Sequence, residues 1–146
     1  MNLVELTQVL IDTAKRIRTV HSVFKGDVYT NWNSSEVKYG SINIGLEQVQ
    51  TEGTDMMAYS FVLYYADRLL QDNTNEYQIY DDALTNLQSI VNTLNMIEDV
   101  FIEDEIIYKP FNQKFMDNLA GMYCTVRIKV PSELAACGID DFDEDE

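Results

Sequence analysis

Residues 56–66, Met-Met-Ala-Tyr-Ser-Phe-Val-Leu-Tyr-Tyr-Ala, decide the fold, because they give the strongest β-strand signal in the chain. Successive side chains of a strand point to opposite faces, and both faces of this one are largely apolar. One face carries Met57, Tyr59, Phe61, Leu63 and Tyr65, and the other carries Ala58, Ser60, Val62 and Tyr64. A strand of this kind is typical of the centre of a sheet that is covered on both sides.

The segment before this strand predicts its first neighbour. In residues 37–50, the apolar Ile42, Ile44 and Leu46 alternate with serine, asparagine and glycine, which is the pattern of a half-buried strand. A turn is predicted at 51–55, where a glycine interrupts the pattern.

The segments after the central strand predict more of the same sheet. Residues 121–130 alternate between an apolar and a polar face, and Pro131 ends the strand. Residues 101–115 predict a strand pair or one bent strand around Pro110, which suits an edge or a bulge. The inward face of the 121–130 strand consists of Met122, Cys124, Val126, Ile128 and Val130.

Residues 3–19 and 76–97 have the three- and four-residue apolar spacing of amphipathic helices. Both follow an asparagine that can form a capping box with a residue three positions later. The two pairs are Asn2 with Glu5 and Asn75 with Gln78. The order helix, strands, helix, strands predicts an α+β domain, in which two helices pack on one face of an antiparallel sheet.

We expect a single α+β domain over residues 1–135, followed by an acidic C-terminal tail at 136–146. Residues 140–146 carry six carboxylates in seven positions. Mutual repulsion of these charges predicts a disordered tail.

The whole chain is acidic, and its charge is unevenly distributed. It has 25 acidic and 10 basic residues, a net charge of −15; residues 1–40 have a net charge of +1 and residues 41–146 one of −16. DNA binding depends on cations that neutralise phosphates, so most of this surface should repel DNA. Neither a signal peptide nor an apolar run long enough to cross a membrane is visible. We therefore expect a soluble protein of intracellular origin that does not contact a membrane.

The sequence gives little material for catalysis. The single histidine, His21, follows the first helix, where a surface role is expected, and Cys124 lies on an inward strand face, where thiols are usually inert. We predict no catalytic residue, no cofactor and no metal site. One alternative is a metal-dependent nuclease in which Asp27 and Glu36 bind Mg²⁺ and Lys38 assists the attacking water.

Residues 20–36 break the periodic pattern but contain the large aromatic residues Phe24, Tyr29 and Trp32. A long irregular segment with such side chains is often a contact surface. Because Tyr and Trp are enriched at interface hot spots, we predict that these three residues contact a neighbouring subunit. The alternative is that they fold back and cap the core.

Three segments resemble tail or ring proteins of crAss-like and related tailed bacteriophages. They are His21-Ser-Val-Phe-Lys-Gly-Asp-Val-Tyr29, Tyr59-Ser-Phe-Val-Leu-Tyr-Tyr-Ala-Asp-Arg-Leu69 and Lys109-Pro-Phe-Asn-Gln-Lys-Phe115. The order of elements also resembles that of tail-terminator and neck proteins, and the likeness covers residues 3–135.

This resemblance implies a structural virion protein with a tail-terminator-like fold. Such proteins form hexameric or dodecameric rings between portal and distal tail, in contact with the portal and other neck or tail proteins. DNA passes through the bore without specific binding, and the virion is assembled in the host cytoplasm. The alternative is a small acidic adaptor, or an inhibitor whose carboxylates mimic the phosphates of DNA.

Overall fold

The computed structural model describes residues 1–112 and 117–132. In these two ranges the chain forms three helices and six strands, all six of which belong to one sheet. The elements are α1 (Leu3–Lys15), β1 (Ser22–Lys25), α2 (Val28–Trp32), β2 (Ser41–Glu52), β3 (Met56–Arg68), α3 (Glu76–Asn95), β4 (Phe101–Ile102), β5 (Tyr108–Asn112) and β6 (Leu119–Pro131). The strand order is β1-β2-β3-β6-β4, and β5 pairs with the same edge of β6 as β4.

The strand β3 lies at the centre of the sheet, as its two apolar faces predict. It pairs antiparallel with β2 on one side and with β6 on the other. The register aligns Ile44, Leu63 and Cys124 across the three strands, and all three side chains are buried. The long hairpin of β2 and β3 therefore forms the frame on which the other elements are arranged.

The two longer helices, α1 and α3, cover one face of the sheet, which we call the front face. Leu6 and Leu10 of α1 and Leu87 of α3 are completely buried in one core cluster with Phe61 of β3. Each such side chain contributes about 1.5–3 kcal/mol by leaving water. The α+β class and the packing of two helices on one face are thus confirmed.

On the opposite side of the sheet, the back face, α2 covers one end. The Trp32 indole is fully buried there, with its ring centroid 6.0 Å from that of Tyr64 and 6.2 Å from that of Phe111. Its Nε1–H donates a hydrogen bond to Ser41 Oγ at 3.0 Å. This bond satisfies the only polar atom of the indole, so the ring can be buried at little electrostatic cost.

Two sequence predictions need correction. The segment 20–36 is not irregular, since it contains β1 and α2. The sheet is mostly antiparallel, as predicted, but it is mixed, because β1 runs parallel to β2. After β1 the chain crosses through α2 and the following loop before it enters β2 in the same direction, and a parallel pair requires a crossover of this kind.

The predicted capping boxes differ in outcome. At α1, the Glu5 N–H donates to Asn2 Oδ1 and the Asn2 N–H donates to a Glu5 carboxylate oxygen, both at 2.9 Å. At α3, Asn75 forms no side-chain cap, because its amide is bonded to the Leu70 N–H and the Arg68 carbonyl. This amide holds the loop after β3 instead.

Helix ends and edge positions differ from the predictions by a few residues. The helix predicted at 3–19 is α1, which ends at Lys15, and the helix predicted at 76–97 is α3, which ends at Asn95. Pro110 lies in β5 at the edge of the sheet, as predicted. The acidic tail at 136–146 and Cys137 lie outside the described residues, as does the end of the third resembling segment, so these predictions stay predictions.

We expect Gly121→Ala to disrupt the centre of the sheet. A Cβ at this position would lie 1.7 Å from the backbone oxygen of Tyr65, which neither strand can avoid without breaking the β3–β6 pairing. Urea unfolding should give a loss of at least about 3 kcal/mol, or no folded protein. The exposed Thr125→Ala on the same strand is the control and should change stability by less than about 0.5 kcal/mol. Equal stability of the two variants would contradict the close approach at Gly121.

Candidate functional site

The outer side of β2 is an open edge over its second half. The parallel strand β1 pairs only with Ser41–Ile44 of β2. From Leu46 to Glu52, no strand in the part of the chain that the structure describes pairs with this side. Seven residues of strand span about 23 Å. We call this stretch the open edge; it presents a row of backbone N–H and C=O groups to a further strand.

The edge is open because the chain leaves the sheet at Gly26. This residue has a φ of +105°, which an L side chain rarely adopts, and its N–H still donates to the Ile44 carbonyl at 2.9 Å. The buried Asn43 fixes the departure. Its Nδ2 donates to the Gly26 carbonyl at 3.0 Å and its Oδ1 accepts from Asn31 Nδ2 at 2.7 Å.

A β-bulge lies at the start of the open edge. The register of β2 against β3 shifts between Leu46 and Gln48, so that Glu47 is the additional residue. Bulges re-aim side chains and are frequent next to functional sites. Here the bulge allows both Leu46 and Val49 to lie on the front face, opposite Phe61 and Tyr59.

An apolar groove adjoins the open edge on the front face. It has a volume of ≈450 Å³ between the start of α1 and β2. Val4 is 76% exposed and Leu46 is 45% exposed, and Val49 farther along the edge is 44% exposed. We call this the front groove, and its apolar lining consists of Leu3, Val4, Ile44, Leu46 and Phe61. Exposed aliphatic side chains beside an open strand edge are typical of a surface that contacts another protein.

A second depression adjoins the same edge on the back face, with a volume of ≈530 Å³. We call it the back depression; it is lined by Asp27, Tyr29, Glu47, Val62 and Tyr64, together with backbone around Gly26. Its character is aromatic and acidic. Burial raises the pKa of the Tyr64 hydroxyl, with smaller contributions from Tyr29 and Tyr123 and then from the Asp27 and Glu47 carboxylates.

The carboxylate of Asp27 is held in the ionised form. The Thr30 hydroxyl and the Thr30 N–H donate to it at 2.7 and 3.1 Å, because Asp27 is the N-cap of α2. These hydrogen bonds lower the pKa of Asp27. The back depression therefore keeps its negative charge at neutral pH.

The three aromatic residues predicted from the sequence have different positions. Trp32 folds back onto the core, as the alternative stated, and a fully buried ring offers no surface to a partner. Phe24 is partly buried against the same cluster. Tyr29 is 50% exposed and lines the back depression. An interface role for Tyr29 and Phe24 stays a prediction, and for Trp32 it requires correction.

The residues considered for catalysis have the following positions. In the alternative nuclease set, Asp27 caps α2, and Glu36 and Lys38 are exposed, with the backbone N–H of Lys38 donating to Ser22 Oγ. Among residues 1–112 and 117–132, no three His, Cys, Asp or Glu side chains converge where a metal ion could bind. His21 is exposed. Burial raises the pKa of the Cys124 thiol to about 12, so it is not a thiolate at neutral pH.

Comparison with known proteins adds no relationship: no protein-family model matches the chain, and neither does any curated protein. Among the described residues, no helix is long and apolar enough to cross a membrane.

We expect Asn43→Ala to loosen β1. The substitution removes both side-chain hydrogen bonds of a buried residue, which at about 0.5–1.5 kcal/mol each should lower the free energy of unfolding by about 1–3 kcal/mol. Hydrogen exchange should become faster at the amides of residues 22–26. Asn92→Ala, at an exposed position of α3, is the control. Unchanged exchange in β1 would show that Asn43 does not hold this segment.

We also expect Cys124 to be unreactive in the folded protein. In a Cys137→Ser variant, a thiol reagent at pH 8 should modify Cys124 at least about a hundredfold more slowly than free cysteine, because almost no thiolate is present. Denatured protein should react at the normal rate. Rapid modification of the native variant would contradict the burial of this thiol.

Proposed function

We propose that this chain is a structural subunit of a tailed-phage neck or tail, with a tail-terminator-like fold, and that it has no catalytic activity. It joins copies of itself and other neck or tail proteins in a ring, and DNA passes through the bore. Its place of action is the virion, which is assembled in the host cytoplasm.

One observation supports the proposal that the chain acts by binding other protein chains: the open edge lies between two depressions of different chemistry. A protein that acted alone would gain nothing from a strand edge flanked by exposed aliphatic residues, since such edges favour aggregation. Backbone groups at a sheet edge give affinity, and the depressions on either face give specificity. This combination supports a function that depends on fitting against another chain.

The phage part of the proposal depends on the resemblance. Two of the resembling segments lie at the open edge and in the central strand. The first resembling segment, residues 21–29, contains β1, Gly26, Asp27 and Tyr29, which are the residues that open the edge and line the back depression. The second, residues 59–69, is most of the central strand β3. The likeness therefore includes both the framework and the candidate contact surface.

The charge is consistent with a DNA channel that does not bind DNA. Residues 41–146 have five basic and 21 acidic residues. Of the basic residues, Arg127 and Lys129 both pair with Glu52. Cations that are already paired contribute less to the attraction of phosphates, so DNA should pass such a surface without strong contacts.

The proposal predicts that charges placed in the open edge prevent assembly. The purified chain, mixed with the neighbouring portal and tail proteins, should give ring-shaped particles in negative-stain microscopy and a matching mass in mass photometry. Leu46→Asp combined with Val49→Asp should keep the folded monomer but abolish the particles, because both side chains are exposed on the front side of the edge.

A control variant carries the same added charge elsewhere. Gln71→Asp with Gln88→Asp places two carboxylates at exposed positions away from β2 and should assemble normally. A wild-type chain that stays monomeric with every virion protein would refute the proposal. Recovery of a nucleic-acid enzyme instead of virion proteins would favour the adaptor or DNA-mimic alternative.

A further inference from the structure

We propose that the open edge binds an extended strand of a different protein, in which aliphatic side chains facing the front groove alternate with basic side chains facing the back depression. This inference rests on the proposed function, since it specifies the contact by which the subunit joins a neighbour. It names the chemistry of the partner rather than its identity.

The backbone geometry favours a strand as the occupant. Beyond Gly26 the line of β1 is vacant among the described residues, while the inner side of β2 remains paired with β3 from Gln48 to Glu52. The edge is therefore a preformed template, and an added strand would continue the line that β1 begins. A preformed template reduces the ordering cost that binding must offset.

The two faces of the edge favour an alternating sequence. Side chains of a strand point to opposite faces with a period of two, so an added strand would direct every second side chain to the front face, and the one beside Leu46 to the front groove. That groove is lined by Leu3, Val4 and Leu46, which fit an aliphatic group. The intervening side chains would face the back, and the one beside Glu47 would face the back depression.

The back depression favours a basic side chain. Asp27 and Glu47 supply two carboxylates, and Tyr64 supplies a ring. An ammonium or guanidinium group is attracted both by carboxylates and by the face of an aromatic ring. A carboxylate in the same place would be repelled by both acidic residues.

The same charges argue against segments of this chain as the occupant. The C-terminal residues 140–146 carry six carboxylates and would meet Asp27 and Glu47. At the opposite edge of the sheet of a second copy, β4 has only two residues and β5 contains Pro110, which lacks the N–H that a strand ladder needs. The open edge of a second copy contains Glu47 and Glu52 and no lysine or arginine, so it does not supply the basic side chains either. We therefore assign the occupant to another protein.

Synthetic peptides of the length of the edge test this inference. The probe is acetyl-Thr-Lys-Val-Lys-Val-Lys-Thr-amide, which can place its valines on the front face and its lysines on the back face. Its isomer, acetyl-Thr-Lys-Lys-Lys-Val-Val-Thr-amide, has the same charge and composition but does not alternate. Affinity is measured by calorimetry, and the site is located by hydrogen exchange of the protein amides.

The alternating peptide should bind at least about tenfold more tightly than its isomer, and should slow exchange within residues 46–52. Asp27→Asn with Glu47→Gln should weaken it about tenfold, the size of one charge-assisted contact. Asparagine is as good an N-cap as aspartate, so α2 stays formed. Asp104→Asn with Glu105→Gln removes the same charge at the opposite edge and should leave the affinity unchanged.

Three outcomes overturn the inference: equal binding of the two isomers, an equal effect of the two double variants, or protection outside residues 46–52. The result is separate from the ring test. Suppose that the wild-type subunit assembles with virion proteins, that the Leu46→Asp, Val49→Asp variant does not, and that the two peptides bind equally. The ring proposal then stands and the strand proposal falls. If the alternating peptide binds as expected and no virion protein joins, the strand proposal stands and the ring proposal falls.

Discussion

The buried amide of Asn43 controls where the sheet stops being paired on both sides. Its Nδ2 and Oδ1 bind the Gly26 carbonyl and the Asn31 amide, so the chain must turn out of the sheet after Lys25. Without that turn, β1 would continue along β2 and cover the edge from Leu46 onward. The same turn starts α2, which brings Trp32 onto the back face. The two hydrogen bonds of the Asn43 side chain thus determine both the covered end of the back face and the open edge beside it.

The rigidity of the edge comes from the strands behind it. The hairpin of β2 and β3 is paired along its length apart from the bulge, and β3 is paired in full with β6. On the front face the α1 and α3 side chains fill the space above β3 with completely buried leucines. Such a packed frame resists deformation. The outward backbone groups of residues 46–52, which no strand of residues 1–112 and 117–132 pairs with, are therefore held in strand geometry before any partner arrives.

The long elements could be predicted from the sequence because their patterns are local. The continuous apolar run of β3, the period-two alternation of β6 and the helical spacing of α1 and α3 need no knowledge of the rest of the chain. In contrast, β1 and α2 have four and five residues, which is too short for either period to appear. The parallel pairing of β1 depends on a crossover, and no local signal encodes it.

The candidate site was only partly predictable for the same reason. The aromatic content of residues 20–36 drew attention to Tyr29, which lines the back depression. It could not distinguish Tyr29 from Trp32, because their directions depend on how α2 packs on the sheet. Whether a strand lies at the edge of a sheet depends on which strands pair with it. Residues 46–52 form an edge only because β1 ends at Lys25. The available signal was Gly26 followed by the capping residue Asp27, which together indicate a chain that leaves one element and begins another.

The two edges of this sheet differ in a way that bears on function. Proteins commonly protect strand edges with proline, lysine, bulges or short strands. The edge formed by β4 and β5 has a two-residue strand, Lys109 and Pro110, so it has several of these features. The β2 edge has a bulge, Glu47 and Glu52, but it also exposes the aliphatic side chains of Leu46 and Val49 on the front face. Protection of one edge and exposure of the other is difficult to explain by folding alone, because both edges meet the same solvent. It favours a role in which the β2 edge is covered after folding, by another chain.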